Sequence, residues 1–457
     1  MTVLHCALAY IEDGWSRDVR LRIGTDGRIA ALATAVAAQP GDTVLTDQAL
    51  LPAMPNLHSH AFQRAMAGMT ERRGPSADSF WTWRELMYRF LEVLTPKDME
   101  AIAALAQLEM LEAGYAAVAE FHYIHHGKGG QPYEDRAELS AAIFRAARLT
   151  GIGLTHLPVL YSHGGAGAQP LGPGQTRFGH DLEGFLRLQD RLAVLLRDQP
   201  ADWRLGAAPH SLRATTPDQL KALKAALPDR PLHIHVAEQM KEVEDVQAWL
   251  GARPVEFLLQ EIGLDASWCL VHATQVTAEE TRAMAASGAV AGLCPITEAN
   301  LGDGIFPGPA YRAAGGRYGI GTDSNVNIAV AEELRVLEYG QRLRDRARSV
   351  LADAGASTGE TLYRESLAGG AQALGRDCGA IAPGKLADLV TLDLAHPALV
   401  GLAADQILDG WIFAGGNNVI RHVWSAGRAV VQDGKHLARD RILSEYRRCR
   451  ARLAALL

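Results

Sequence analysis

Hydrophobic and polar positions along the chain fall into three textures. From residue 1 to about 50 they alternate in short stretches. Arg17 to Ile23 alternates as a half-buried strand should, Thr25-Asp-Gly-Arg28 supplies an Asp-Gly hairpin turn, Ile29–Leu32 continues beyond it, and Val44–Leu51 is again extended. From Leu51 onward, apolar β-prone segments alternate with Ala- and Leu-rich helical stretches. The spacing predicts eight strands: Leu50–Asn56, Ala117–Phe121, Gly153–Leu160, Arg204–Ala208, Leu232–Val236, Trp268–His272, Ala289–Cys294 and Gly319–Thr322. Thr95-Pro-Lys-Asp98, Thr216-Pro-Asp-Gln219 and Thr277-Ala-Glu-Glu280 open helices between them, each with an N-cap threonine and a partner side chain three residues on. After about residue 380 the strand-and-turn texture returns, in Ala382–Leu392 and the hairpin Val419–Gly434, and residues 439–457 read as a helix.

Strands alternating with helices imply a parallel sheet, and eight of them suggest a closed (β/α)8 barrel. Periodicity alone does not separate that barrel from an open doubly wound sheet. The chain has neither G-x-G-x-x-G nor a P-loop, so the nucleotide-binding forms of the open sheet lose weight. The expected organisation is an α/β chain with a small β-domain from residues 1–50 plus 380–438, a barrel from 51–379 and a C-terminal helix at 439–457.

Composition narrows the function more than the fold. The 457 residues are 48% hydrophobic and 21% charged, with a net charge of −7 and a pI near 6.2. That balance offers nothing to nucleic acid or an anionic membrane. Cys6, Cys269, Cys294, Cys378 and Cys449 are scattered, with no C-x-x-C, which fits buried thiols in a reducing compartment better than a disulfide framework or a cysteine zinc site. The first residues lack the pattern of a signal peptide, and no apolar run reaches transmembrane length. A soluble cytoplasmic protein is expected.

The candidate chemistry sits at the carboxyl ends of the predicted strands, where β/α barrels build their active sites. His58 and His60 end the first strand, and i, i+2 positions share a face. His210 follows the fourth, His233 and His235 lie in the fifth with Glu238 just beyond, His272 ends the sixth, and Asp323 ends the eighth. Three histidines and an aspartate suit one Zn²⁺ or Fe²⁺ ion with water completing the shell. His233 and His235 have the same parity, so spacing alone does not choose between them. Glu238 favours His235, because a carboxylate just past a ligand can shuttle protons, and leaves His233 as packing or support.

His58-x-His60, His235-x-x-Glu238, His272 and Asp323 together resemble the amidohydrolase superfamily, in its mononuclear aminohydrolase branch. Pro383-Gly-Lys-x-Ala-Asp388-Leu-Val resembles the hallmark of that superfamily's flanking β-sandwich domain. No lysine ends the predicted fourth strand, so the carboxylated bridging lysine of binuclear members looks absent. The stretch His58-Ser-His-Ala-Phe-Gln-Arg-Ala-Met-Ala-Gly68 is most similar to the formimidoylglutamate deiminase subfamily of histidine degradation.

The resemblance implies a (β/α)8 barrel with a flanking β-sandwich and one Zn²⁺ per subunit, Fe²⁺ being possible, held by His58, His60, His235 and Asp323. It implies hydrolytic deimination with Glu238 as proton shuttle and His272 and Asp323 taking the proton of the attacking water, His272 not being a metal ligand. A small dicarboxylate substrate would meet Gln63, Arg84 in the long loop after the first strand, Tyr123, His210 and Arg213 in the loop after the fourth, arginine being suited to carboxylates. A homodimer is also implied, with no nucleic-acid or membrane partner. The alternatives are a nucleobase or adenosyl deaminase on the same scaffold and, more remotely, a non-catalytic relative. Trp81 and Trp83 read as loop packing, and the Gly-rich run 164–174 as a mobile loop or a lid.

Overall fold

The structure is a computed structural model that describes residues 2–71 and 80–456, with the backbone alone at 80–82. The chain opens with β1 (Thr2–Ile11), β2 (Gly14–Ile23), β3 (Ile29–Ala33) and β4 (Thr43–Pro52). Then come β5 (Met54–Ser59), β6 (Tyr115–His122), β7 (Gly153–Leu160), β8 (Arg204–Leu205), β9 (Ala208–Pro209), β10 (Leu232–Val236), β11 (Trp268–His272), β12 (Val290–Leu293) and β13 (Arg317–Ile320). The last strands are β14 (Leu389–Asp393), β15 (Ile420–Ser425), β16 (Arg428–Gln432) and β17 (Lys435–His436).

Strands β5 to β13 form the barrel. β5-β6-β7-β8 and β10-β11-β12-β13 are parallel runs, and β9 continues the interrupted fourth stave beside β7. Two parallel bridges, Ala207 to Leu232 and Ser59 to Asp323, join the runs into a ring. At the second seam the His60 N–H donates to the Asp323 carbonyl (2.9 Å), and the Asp323 N–H donates to the His58 carbonyl (2.9 Å). A Cβ at Gly321 would lie 2.8 Å from the His58 backbone, so this closure needs a glycine there. The eight predicted strands are found in order, with helices between them and one large apolar core.

The first strand is displaced from its predicted place. Leu50–Pro52 belongs to β4 and pairs antiparallel with β14, and the barrel strand runs from Met54 to Ser59. Ala53 is the joint, its N–H donating to the Asp388 carbonyl (2.9 Å). One continuous apolar run serves two sheets, which is why hydrophobicity alone placed the strand too early. The eighth strand also sits two residues earlier than its reading, at Arg317–Ile320.

The two chain ends share one mixed sheet, in the order β17-β16-β15-β14-β4-β1-β2-β3. Leu4, Val19, Ile29, Leu45, Leu389 and Trp424 lie in a single core, so this flanking β-domain closes over its own inner face. It is bolted to the barrel by a buried ionic network. Asp202 takes a two-pronged pair from Arg428 (2.8 and 2.9 Å) and meets Arg376 at 3.2 Å, and Arg376 also reaches Asp388 at 3.2 Å. The last helix spans Arg439–Ala454 and packs on the helix Pro96–Glu112. Thr95, Thr216 and Thr277 cap their helices in reciprocal capping boxes, as their spacing predicts. Among the described residues, no helix is long and apolar enough to cross a membrane.

Candidate metal centre and active site

At the carboxyl end of the barrel, His58, His60, His235 and Asp323 bring donor atoms within 4.8 Å of one another, all buried. The His58 Nε2 lies 3.2 Å from His60 Nε2 and 3.1 Å from His235 Nε2. Asp323 Oδ1 is 3.4 Å from the first of these nitrogens and 3.3 Å from the second. Ligand bonds of about 2.1 Å in a tetrahedral shell give donor separations of roughly 3.4 Å. The cluster has that spacing.

Proton bookkeeping supports a cation. His60 Nδ1 sits 2.9 Å from the Phe121 carbonyl, and His235 Nδ1 sits 3.1 Å from the His210 carbonyl. A carbonyl only accepts, so both rings carry their proton on Nδ1 and turn bare Nε2 lone pairs inward. Burial pushes His58 down to about 3 and lowers His60 and His235 as well, so none is charged near neutrality. Burial works against the charge on Asp323, but the imidazoles of His58 and His60 outweigh it and hold its carboxyl well below the usual range. Facing lone pairs and a buried carboxylate are mutually repulsive until a cation lies among them. The residues present fit a divalent metal ion.

His233 resolves the open choice of the fifth strand. Its Nε2 donates to the Ala373 carbonyl (2.8 Å), away from the cluster, so His235 alone supplies the β10 donor. A histidine at a strand end is not enough by itself. His122 ends β6 but packs against His156, whose Nε2 meets Ser140 beside the barrel.

Three titratable side chains stand next to the cluster. His272 Nε2 is 3.9 Å from Glu238 Oε1 and 3.8 Å from Asp323 Oδ2, while its Nδ1 meets Glu298 Oε1 at 3.2 Å. Burial alone would discharge His272, but Glu238, the Glu298 hydrogen bond and Asp323 raise it to about 10. Burial raises Glu238, with His272 and Arg213 working the other way. Glu238 and His272 thus each favour the charged form of the other. Ala237, His272, Ala273, Asp323 and Asn325 all have positive φ, from 43° to 68°, in a region L-residues rarely adopt. Such backbone persists only where its surroundings hold it.

A cavity of about 250 Å³ opens onto these groups. Gln63, Arg84, Tyr123, His210 and Arg213 all border it, together with Glu238, His272 and Asp323. Gln63 donates to the Tyr123 hydroxyl (3.0 Å) and keeps its carbonyl oxygen buried without a hydrogen bond. Arg84, expected in a loop, stands instead on the helix Phe80–Leu91. There it donates to the hydroxyls of Tyr88 and, at 3.2 Å, Tyr161. Arg213 is 3.4 Å from Glu238 and 3.9 Å from Glu242. Trp83 borders the cavity rather than merely packing the loop, while the Trp81 side chain lies outside the described residues. Gly164, Gly165 and Ala166 place the start of the Gly-rich run at the cavity wall.

Several supporting residues escaped the sequence reading. Glu242 accepts the N–H groups of Ala237 and Glu238 (both 3.1 Å), fixing the loop that carries Glu238 from behind. Glu298 accepts from Cys294 N–H (2.8 Å) while it orients His272. Asn56 and Asn325 stitch β5 to the Asp323 loop, Asn325 donating to the carbonyls of His60 and Asp323 (both 3.1 Å). Tyr161, one residue past β7, and Tyr88, four residues past Arg84 on one helix face, had positional signals that could have found them.

A closed β/α barrel with a His-x-His, His and Asp donor set at its carboxyl end, flanked by a sheet of both termini, defines a metal-dependent hydrolase architecture. Comparison with known proteins agrees with it. Residues 49–430 match the model of the amidohydrolase family, and residues 1–45 match the N-terminal domain of the formimidoylglutamate deiminase HutF. The chain is 53% identical to a formimidoylglutamate deiminase of Pseudomonas aeruginosa, over 96% of this chain and 97% of that one. An amidohydrolase crystal structure from Brucella melitensis superposes with a TM-score of 0.95 at 47% identity, covering 99% and 100% of the two chains. A Xanthomonas campestris adenosine deaminase with bound zinc shares the fold, with a TM-score of 0.83 at 22% identity over 99% and 98%. The chain belongs to the amidohydrolase family.

Proposed function

We propose that the protein hydrolyses N-formimidoyl-L-glutamate to N-formyl-L-glutamate and ammonia. The observation that carries the reading is one cavity in which Arg84 and Arg213 face a His-His-His-Asp cluster and the Glu238–His272 pair. A substrate with two carboxylates and a small amidine head presents the complementary groups. The 53% identity to a deiminase of that name supports the same substrate.

His58, His60, His235 and Asp323 would hold the ion, for which zinc is the choice that three imidazoles and a carboxylate support, with Fe²⁺ as the other candidate. Bound there, it would supply Lewis acidity and lower the pKa of a water molecule toward about 7. With the proton of the pair on Glu238, His272 is a neutral base that takes up the proton of the attacking water, and Asp323 orients that water toward the formimidoyl carbon. Glu238, whose proton affinity burial raises, gives its proton to the imine nitrogen and then relays the water's proton to the departing ammonia. Arg84 and Arg213 receive the carboxylates, with Gln63, Tyr123 and His210 lining the space between. Arg213 exchanges part of its pairing with Glu238 for the substrate, which frees the shuttle as the substrate arrives.

The same reading includes a homodimer, checked by sedimentation, and a cytoplasmic location, in keeping with five buried, unpaired cysteines. The function is tested by ammonia release from N-formimidoyl-L-glutamate against a panel of purine and adenosyl substrates. The expected outcome is turnover confined to the dicarboxylate, with KM raised by Arg84→Ala or Arg213→Ala. Faster turnover of an adenosyl compound, indifferent to both arginines, would sink the reading.

A further inference from the structure

Glu238, His272 and Glu298 stand on or beside three different loops, those after β10, β11 and β12. One buried residue touches all three. Asp303, 3% exposed, follows the helix Pro295–Leu301 and does not border the cavity. Its Oδ1 accepts from the side-chain amide of Gln239, next to Glu238, and its carbonyl accepts from the side-chain amide of Gln275. Its own N–H donates to the Glu298 carbonyl (2.9 Å), and the Gln275 N–H donates to the Ala237 carbonyl (2.8 Å), closing the circuit. Gly304, at φ +114°, completes the turn; a Cβ there would lie 3.2 Å from Gln275 Nε2.

We propose that Asp303 is a positioning residue that locks these three loops into one unit, through Gln239 and Gln275, and so sets Glu238 against His272. The need for a lock is visible in the backbone. Ala237, His272 and Ala273 have φ of 50°, 68° and 48°, conformations that L-residues rarely adopt and that relax unless neighbours hold them. Glu242 holds the first loop from behind, and Asp303 ties it to both of the others at once. The carboxyl acts in its neutral form. Its Oδ2 is buried without a hydrogen-bond partner, and burial, reinforced by the nearby Glu238, raises it to about 9. Asparagine therefore replaces it in shape and charge, and alanine does not.

The inference rests on the proposed deimination, so its test has one arm that needs no turnover. Asp303→Ala, Asp303→Asn, Gln239→Ala and the Asp303→Ala/Gln239→Ala double variant are compared with the parent. The readouts are ammonia release by the zinc-loaded protein, bound metal, and amide hydrogen exchange over residues 236–242 and 272–277 in the metal-free protein. Asp303→Ala should lower kcat roughly 10–100-fold, with KM and bound metal little changed, and should speed exchange in both segments. Gln239→Ala should reproduce the kcat loss, the double variant should be no worse than either single one, and Asp303→Asn should stay within about threefold of the parent. The proposal falls if Asp303→Asn is as damaging as Asp303→Ala, or if Gln239→Ala leaves both kcat and exchange unchanged. If the parent itself releases no ammonia from N-formimidoyl-L-glutamate, the reading of the substrate fails, and the exchange arm still decides the lock.

Discussion

At the scale of single residues, the structure assigns unlike tasks to acids that a sequence cannot rank. Glu238, Glu242, Glu298 and Asp303 are all buried near the site, yet only Glu238 borders the cavity. Glu238→Gln keeps the shape and removes the transferable proton. It should cost about 10²–10⁴-fold in kcat with bound metal unchanged, measured as ammonia release per metal-loaded subunit. Near-parental turnover would remove Glu238 from the proposed mechanism. The donor set was legible because strand parity is a local rule: His58 and His60 share a face whatever surrounds them. Parity could not separate His233 from His235, since that depends on Ala373, which accepts from His233 across 140 positions of sequence. Glu242 and Glu298 stayed hidden for the converse reason. A carboxylate that holds backbone N–H groups has no signature apart from the loop it holds.

At the scale of elements, capping was read directly and boundaries were not. Thr216 and Gln219 exchange side chain and backbone hydrogen bonds at 3.3 and 3.0 Å, and Gln219 also donates to Ser162 (3.0 Å), tying this helix to the loop after β7. Thr216→Ala should therefore lower unfolding free energy by about 1 kcal/mol without changing kcat, read by denaturant titration and turnover together. A change in kcat would mean that the Ser162 link reaches the site. The helix Phe80–Leu91, which carries Arg84, lay inside what read as a long loop, although Asp78 and Ser79 just before it are residue types that favour a helix start. The run from Leu50 to Ser59 hides a change of sheet, since strands of both sheets are apolar and only the pairing of β4 with β14 divides them. Element order thus follows from periodicity, while the break at Ala53 depends on partners more than three hundred residues away.

At the scale of the whole molecule, two charged assemblies hold distant parts of the chain together. The first gives physical sense to Asp388 of the Pro-Gly-Lys-Leu-Ala-Asp motif, which pairs with Arg376 and accepts the Ala426 N–H (2.6 Å), joining barrel to flanking sheet through Asp202 and Arg428. Burial opposes the Asp202 charge, but Arg428 and Arg376 outweigh it and depress its pKa. Its stabilisation is therefore complete above the unfolded carboxylate value of about 3.9 and is lost as pH falls through the lower folded value. Asp202→Asn should cost about 3 kcal/mol near neutrality, with the gap to the parent closing in acid, and a gap independent of pH would contradict the network. The second assembly is the cation site, whose donors come from β5 and the adjoining loop after β13 on one side of the ring and from β10 across it. An ion there ties β10 to the seam between β5 and β13, and its removal leaves lone pairs facing one another. A chelator should therefore lower thermal stability as well as abolish ammonia release. Zinc at a hundred times its dissociation constant should restore about 2.7 kcal/mol. His58→Ala should gain nothing from added zinc, whereas Glu238→Gln, which keeps every donor, should gain as much as the parent. Equal gains in both variants would place the ion elsewhere.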